Sequence, residues 1–351
     1  MSLWVVLVVR ALTMLGVVLV VLMLVVVSLG ATGFSDRLGT SIIREELRGQ
    51  REALAQTIRD PDELERVLLA RRADLESFYG LDRPWYYRLP DTAKRILTFD
   101  LGEARSLRSF NGSRKVSDIV LERVPRSALL LTTALVITAA IGIPLGTLLA
   151  TRVGGKLDRL ASYASAASYA LPAWWAGILL ILVFAFHFRI FPSGGLYGIP
   201  PPEGEFSRFL DMLWHATLPI LTLVLVSLGG WIYITRTMVL NTAQEFFVTV
   251  ARAKGLPERT VMRRHVLRVA APPIVTNLVL AFTGSFGGAI LIETVFNWPG
   301  MGRLYYDAIT SAEETVIMAL TFLFTLIYVG ARFILEVLYL VLDPRIRYTR
   351  T

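Results

Sequence analysis

The stretch SALLLTTALVITAAIGIPLGTLLAT, at residues 127–151, carries no charged side chain. A helix of 24 residues is about 36 Å long, which exceeds the roughly 30 Å hydrocarbon core of a bilayer. The same length of uncharged sequence recurs along the chain, with one shorter run near the C-terminus. These other runs lie at 11–35, 160–188, 212–235, 269–292 and 315–331. The pattern predicts an all-α membrane protein with six transmembrane helices.

The composition supports this class and excludes others. Of 351 residues, 54% are hydrophobic and only 18% are charged, whereas soluble domains carry about 25% charged residues. The absence of cysteine excludes structural disulfides, thiolate zinc sites and cysteine nucleophiles. The three histidines, His187, His215 and His265, are far apart and lack metal-ligand spacing. A simple soluble enzyme, a nucleic-acid module and a disulfide scaffold are therefore excluded.

The distribution of basic residues predicts the orientation. The first apolar run continues to Leu29 without a clear cleavage site, so we interpret it as a retained span rather than a signal peptide. With six spans, one side of the membrane holds fourteen Lys/Arg and the short loops of the other side hold three. By the positive-inside rule, both termini are cytoplasmic and the long 31–125 segment is extracytoplasmic.

Four regions follow from this topology. A first transmembrane helix (1–30) precedes a mainly helical extracytoplasmic insertion (31–125), in which Asp60 and Pro61 form a typical helix start. A five-helix core (126–342) contains a cytoplasmic loop at 241–270, and a cytoplasmic tail (343–351) follows. The insertion either seats a partner protein or caps the spans.

Polar residues within the third and fifth runs are candidates for a pathway. Ser162, Ser165 and Tyr169 form a polar stripe, which is unusual against lipid and indicates either helix packing or a wet pathway. Glu293 lies at the outer end of the fifth run. It is either a substrate or gate contact or a structural carboxylate at the interface.

The loop between the fourth and fifth runs is the most informative segment. Residues 236–268 hold seven Lys/Arg against Glu245 and Glu258. An alanine-rich helix should stop at Gly255, and a second helix can restart with Pro257 near its first position. An interfacial helix on anionic lipid has a similar composition. One apolar side is predicted from Phe246, Phe247, Val250, Ala251 and Leu256.

The order of residues in this loop narrows the interpretation. FVTVARAKGL at 247–256, followed by VMRRHVLR at 261–268, resembles the cytoplasmic loop of binding-protein-dependent ABC import permeases, in the peptide and nickel subgroup. The chain is most similar to the first of the two permease subunits of dipeptide or oligopeptide importers. Further matching motifs occur in family order at 80–84, 100–102, 123–125, 142–146, 157–159, 191–194, 215–219, 293–302 and 342–345.

The resemblance implies a type I importer-like permease in the plasma (inner) membrane, which moves peptides by alternating access. Implied partners are a second permease subunit, two ATP-binding cassette ATPases, an extracytoplasmic solute-binding protein, the peptide and membrane lipid, but no nucleic acid. The loop would be a coupling helix that sits in a groove on an ATPase. The implied coupling residues are Glu245, Phe247, Ala251, Arg252, Ala253, Lys254, Gly255 and Leu256, with Arg252 and Lys254 pairing with carboxylates of the ATPase.

We expect no catalytic site, metal or cofactor in the chain itself, with ATP and magnesium bound by the ATPase partners. The nearest approach to a phosphate loop, at 154–157, lacks the earlier glycine and the Ser/Thr after Lys156. The alternatives that stay open are a permease for nickel or another small solute and, from a different class, a membrane-embedded enzyme or a scaffold.

Overall fold

The computed structural model describes residues 3–31, 34–56, 58–78, 81, 82, 84–88, 98, 100–311 and 313–342, so the predicted tail at 343–351 lies outside them. The prediction of an all-α chain is confirmed, because β-structure in these residues is limited to one isolated bridge between Glu103 and Lys115. The helices are α1 Leu3–Ala31, α2 Phe34–Leu54, α3 Pro61–Phe78, α4 Val116–Leu121, α5 Val124–Ala150, α6 Lys156–Ala170, α7 Ala173–Leu180, α8 Glu205–Ala243, α9 Phe246–Ala253, α10 Glu258–Thr260, α11 Leu267–Val295, α12 Met301–Thr310 and α13 Glu314–Leu342.

Two π-helical segments and one 3₁₀ turn complete the helical structure in the described part of the chain. The π-helix Ile181–His187 continues α7, the π-helix Val261–Val266 joins α10 to α11, and the 3₁₀ turn spans Trp85–Arg88. The chain forms two compact units. One consists mainly of Val120–Asp307, and the other of Val8–Ile119 with Ala308–Thr325.

Several helices are long and apolar enough to cross a membrane. Among the described residues, four helical stretches meet this criterion: Val116–Ala150, Glu205–Ala243, Glu258–Phe286 and Thr315–Leu335. The pair α6–α7 meets it together, with a bend of 97° between its members. In α1, Val8–Val21 is a shorter apolar helix. The described residues thus contain four or five candidate spans, and the sixth stays a prediction.

The third predicted span is not one straight helix, and proline is the reason. Leu171 adopts an extended conformation (φ −82°, ψ 121°), and α7 begins only after Pro172. The proline ring disfavours helical geometry at the preceding residue and removes one backbone donor. The charge-free run at 160–188 therefore folds as two helices, a polar one (α6) and an apolar one (α7).

Close packing of α5 against α8 forms the centre of the first unit. A Cβ added at Gly146 would lie 2.7 Å from the backbone oxygen of Ile232 and 2.8 Å from Cβ of Thr235. At Gly142, one turn earlier, it would lie 2.9 Å from Cβ of Trp231. The two glycines four residues apart therefore allow the helices to approach closely.

The second unit contains the predicted helical insertion. The backbone N–H of Asp62 donates to Oδ1 of Asp60 (3.1 Å), and Pro61 is the first residue of α3. This side-chain bond satisfies one of the free N–H groups of the first helical turn. The predicted start of this helix is confirmed. Helices α2 and α3 agree with a mainly helical segment, and its extracytoplasmic location stays a prediction.

Glu313 binds a loop of the same unit. Its side chain is 1% exposed, and its carboxylate accepts hydrogen bonds from the N–H groups of Arg105 (3.0 Å) and Leu107 (3.3 Å). Ser106 donates both its hydroxyl (2.8 Å) and its N–H. Burial on its own raises the pKa of Glu313, but these bonds to the ionised form outweigh it and hold the pKa below the ordinary glutamate value.

Replacing Glu313 by glutamine is therefore expected to flatten the acid dependence of stability. Because the folded-state pKa lies below the unfolded one, the ionised group stabilises the protein above about pH 4.3, and this contribution is lost as pH falls through the folded value. Thermal unfolding of the purified chain between pH 7 and pH 3 measures the effect. Parallel curves for the wild-type and variant chains would contradict the assignment.

Candidate functional site

The connection between α8 and α11, residues 244–266, is termed the elbow. Helix α9 ends at Ala253, and Gly255 has φ +75°, a left-handed conformation that glycine adopts without a steric penalty. The N–H groups of Lys254 and Gly255 donate to Val250 (3.1 Å) and Arg252 (2.9 Å) and so cap the last carbonyls. The predicted helix–break–helix is confirmed. Pro257 lies one position earlier than predicted, just before α10.

The inner face of the elbow is part of the hydrophobic core of the chain. Val248 and Ala251 are buried and pack with Val261 and Val266 of the π-helix. The spacing of three residues in α9 puts Val248 and Ala251 on one face of the helix. The same cluster includes residues of α5, α8 and α11: Ala150, Val239, Ala270 and Ile274. The elbow is therefore fixed to both α8 and α11.

The outer face of the elbow exposes apolar side chains beside charged ones. Phe246 is 80% exposed, and Phe247 and Leu256 are also exposed. The predicted apolar side is therefore not one surface, because Ala251 points into the core. The sequence-based set of coupling residues omits Phe246, although the spacing of Val248 and Ala251 indicates which face is buried. Exposed residues of that set are Glu245, Phe247, Arg252, Ala253, Lys254, Gly255 and Leu256.

An ion pair spans the turn of the elbow. Arg252 donates Nη2–H to Oε1 of Glu258 (2.8 Å) and Nε–H to Oε2 (3.2 Å). Both side chains are exposed, and a solvent-exposed pair contributes about 0–1 kcal/mol. The predicted pairing of Arg252 with a partner carboxylate stays untested. In the isolated chain, Arg252 pairs instead with the carboxylate of Glu258, on the other side of the Gly255 turn.

Three of the predicted pathway residues line one cleft. Ser162, Ser165 and Tyr169 of α6 border a cavity of about 470 Å³, opposite residues of α8. The remaining lining residues are Ala166, Gly229, Gly230, Tyr233 and Ile234. Tyr169 is 81% exposed. The exposed surface of the cleft is mainly apolar and includes the rings of Tyr169 and Tyr233. The Ser162 hydroxyl donates to the backbone oxygen of Asp158 (2.8 Å), and Ser165 is buried.

Polar contacts attach α6 to α8 on either side of this cleft. Arg236 donates Nε–H to Oδ1 of Asp158 (2.6 Å) and Nη2–H to Oδ2 (2.8 Å). Further along α6, the Ser168 hydroxyl lies 2.6 Å from the backbone oxygen of Leu225 and 2.9 Å from that of Val226. The bidentate ion pair involves a buried aspartate. The cleft therefore has fixed walls.

Glu293 does not line the cleft. Its side chain is fully buried, and its carboxylate accepts a hydrogen bond from the Ser127 hydroxyl (2.6 Å) and one from the N–H of Arg303 (3.0 Å). The Ser127 oxygen in turn accepts from the N–H of Met301 (2.7 Å). The carboxylate thus caps the first turn of α12 and links it to α5. The geometry favours the structural alternative for this residue, and its role at a gate stays a prediction.

Motifs that are distant in the sequence meet around Glu293. Phe296 packs with Leu218 and Ile292, and Trp298 packs with Leu130 and Ala216. The backbone oxygen of Phe296 accepts from the N–H of Gly195 (2.9 Å). The segments 191–194, 215–219 and 293–302 therefore contact one another through two hydrophobic clusters. Sequence spacing alone gave no signal for this convergence.

Comparison with known proteins assigns this architecture to a family. Residues 142–348 match the family described as "Binding-protein-dependent transport system inner membrane component". The chain is 31% identical to the oligopeptide transport system permease protein AppB of Bacillus subtilis over 280 residues, which is 79% of this chain and 86% of AppB.

Two further relatives show similar coverage. The peptidoglycan transport system permease protein YejB of Agrobacterium fabrum is 31% identical over 280 residues, which is 79% of this chain and 76% of YejB. The dipeptide transport system permease protein DppB of Escherichia coli K12 is 29% identical over 297 residues, which is 80% of this chain and 86% of DppB.

Proposed function

Because the chain belongs to the family of binding-protein-dependent transport system inner membrane components, we propose that it is a permease subunit of an ATP-driven importer that carries peptides across the plasma membrane. The names of AppB and DppB support peptides as the solute class. The observation that carries the proposal is the elbow, a short capped helix with a buried inner face and an outer face that exposes apolar side chains beside charged ones.

The proposed topology has six spans. They are α1, α5, the bent pair α6–α7, α8, α11 and α13, with both termini in the cytoplasm and 31–125 outside as a mainly helical insertion. The charge asymmetry of the loops supports this orientation. The core then extends over 126–342, the first span covers 1–30, and the cytoplasmic loop at 241–270 contains the elbow. Residues 343–351 form the cytoplasmic tail.

Coupling is proposed to run through the elbow. To invert a 1:99 equilibrium between inward-open and outward-open states, ATP-bound partners must favour one state by about 5.5 kcal/mol. Only a stiff connection can transmit such a difference. The burial of Val248 and Ala251 between α8 and α11 supports this stiffness. The surface offered to an ATPase consists of Phe246, Phe247 and Leu256 with the exposed cations beside them.

The proposed assembly contains a second permease subunit, two ATPases and an extracytoplasmic solute-binding protein. The ATPases bind ATP and magnesium, and this chain is not itself an enzyme. The cleft that contains Ser162, Ser165 and Tyr169 is proposed to line the solute pathway, because it is a concavity of about 470 Å³ between α6 and α8 whose exposed tyrosine rings can contact the side chains of a peptide. Glu293 is proposed to hold the outer end of the pathway in place through its buried bonds.

Transport by the reconstituted assembly tests this function. Vesicles that contain the chain and its partners are expected to accumulate labelled dipeptides or oligopeptides only when ATP is present. Labelled peptidoglycan fragments are tested as a third kind of solute, because YejB is named as a peptidoglycan transport system permease. Accumulation of nickel without any peptide uptake would show that the solute is a metal ion and not a peptide. Uptake without a nucleotide-hydrolysing partner would exclude the coupling mechanism.

Replacing Gly255 by tryptophan is expected to lower uptake about tenfold while the protein stays in the membrane. A side chain at φ +75° costs roughly 1–2 kcal/mol and distorts the turn, although the surrounding space is open. Labelled peptide uptake and co-purification of the ATPase measure the effect. Gly112 is the matched control, because it has φ +81° and equally open surroundings in the second unit. Equal uptake by the two variants would contradict the coupling role.

A further inference from the structure

A basic cleft lies on the segment that leads from the elbow into α11. It is defined by Arg259, Thr260, Arg263 and Arg264, which surround a cavity of about 520 Å³. The three arginines are exposed. In the described part of the chain, none of them forms an ion pair with an acidic side chain. Three positive charges thus converge on one concavity.

The nearby acidic residue is already engaged. Glu258, the first residue of α10, accepts both hydrogen bonds from Arg252 on the other side of the Gly255 turn. Because its carboxylate is directed to Arg252, it leaves the cations of the basic cleft uncompensated. Guanidinium groups match phosphate oxygens with paired N–H donors, and a threonine hydroxyl adds one more donor. The chemistry of the basic cleft is therefore that of a phosphate-binding site.

The helix continues directly from the basic cleft into an apolar span. Glu258–Phe286 meets the length and composition of a transmembrane helix. Val269, little more than a turn after Arg264, is 50% exposed. Arg268, which is also exposed, extends the cationic surface by one turn, and the apolar surface of the span begins beside it at Val269. This order is complementary to that of a phospholipid, whose phosphate lies at the membrane interface and whose acyl chains lie in the hydrocarbon core.

We propose that the basic cleft binds the phosphate group of an anionic phospholipid. The concave shape and the adjoining apolar surface favour a headgroup over a protein partner, for which the projecting Phe246 and Phe247 offer the better contact. Bound lipid would hold the start of α11 at the membrane surface. The inference does not depend on which solute the protein transports.

Native mass spectrometry of the full chain in detergent tests the proposal with dioleoyl phosphatidylglycerol and dioleoyl phosphatidylcholine as probes. Each cation near an anionic headgroup contributes about a fivefold gain in affinity, so Arg259→Gln/Arg263→Gln/Arg264→Gln is expected to bind phosphatidylglycerol roughly a hundredfold more weakly. The matched control is Arg152→Gln/Lys156→Gln/Arg159→Gln, which removes three exposed cations near the α5–α6 turn. It is expected to retain wild-type binding.

Three additional measurements make the outcome decisive. A lysine version of the triple variant keeps the charge and is expected to retain more lipid than the glutamine version. Equal loss in both, or equal binding of the two lipids by the wild-type chain, would overturn the proposal. Inorganic phosphate that saturates the site without phosphatidylglycerol binding would identify a free anion instead. Loss of ATPase co-purification with unchanged lipid binding would make the basic cleft a protein contact.

Discussion

Replacing Gly146 by leucine is expected to reduce the folded chain in the membrane at least tenfold. The new Cβ would lie 2.7 Å from the Ile232 oxygen and 2.8 Å from Cβ of Thr235. The first of these atoms belongs to the backbone of α8, which cannot rotate away as a flexible side chain does. Overpacking of a well-packed interior costs typically 1–3 kcal/mol, and a clash with helical backbone belongs at or above the upper end.

That cost is large in a membrane protein, because close van der Waals packing is a main source of helix association in lipid. The separation of α5 and α8 would also displace Arg236 from Asp158, since Arg236 lies on α8 one residue beyond Thr235. Quantitative immunoblotting of membrane fractions and size-exclusion chromatography measure the loss.

Gly284 is the matched control for this substitution. It lies within α11, and a Cβ added there meets no atom within 4 Å. Gly284→Leu is therefore expected to leave the amount of folded chain nearly unchanged when the chain is expressed alone. Comparable losses in the two variants would show that any bulky residue in a span is harmful, and the α5–α8 contact would lose its special role.

Replacing Glu293 by leucine is expected to destabilise the chain, by less than about 6 kcal/mol. Two opposing effects decide the result. Removing a fully buried carboxylate relieves its desolvation, which favours the variant. The variant also leaves the Ser127 hydroxyl and the Arg303 N–H without their acceptor, at about 1–3 kcal/mol for each buried group.

The second effect should dominate, because leucine cannot cap the first turn of α12 and its branched shape does not match the planar carboxylate. Thermal unfolding of the purified chain measures the change. Ser127→Ala and the double variant complete a thermodynamic cycle. The double variant should lose less stability than the two single variants lose together, because both substitutions remove the same hydrogen bond. A Glu293→Leu chain as stable as the wild type would refute the structural role.

The sequence was sufficient for features that depend on local chemistry. Charge-free runs predicted the apolar helices, Asp60 and Pro61 predicted the start of α3, and Gly255 predicted the end of α9. Each of these depends on a few adjacent side chains and on backbone preferences that act without tertiary contacts. The resemblance of ordered motifs extended the prediction to the family, which the comparisons confirm.

Features that depend on tertiary contacts were harder to predict from the sequence. Pro144 and Pro219 lie inside continuous helices, whereas Pro172 lies at a 97° bend, and the residue type alone does not distinguish these cases. The sequence also did not show whether Ala251 faces solvent or the core, because alanine is common both at close contacts between helices and in hydrophobic cores. Glu293 gained its structural partners only through folding, since Ser127 lies 166 residues away.

The contact between Asp158 and Arg236 has a consequence for biogenesis. The two residues are 78 positions apart, so the ribosome completes α6 long before Arg236 is synthesised. Until then, Asp158 lacks its Arg236 partner and α6 also carries charged groups and a row of serines, which makes stable partitioning into lipid unfavourable. Integration of α6 should therefore be a late and cooperative event that waits for α8, and nascent chains truncated before Arg236 should leave this segment accessible to the aqueous phase.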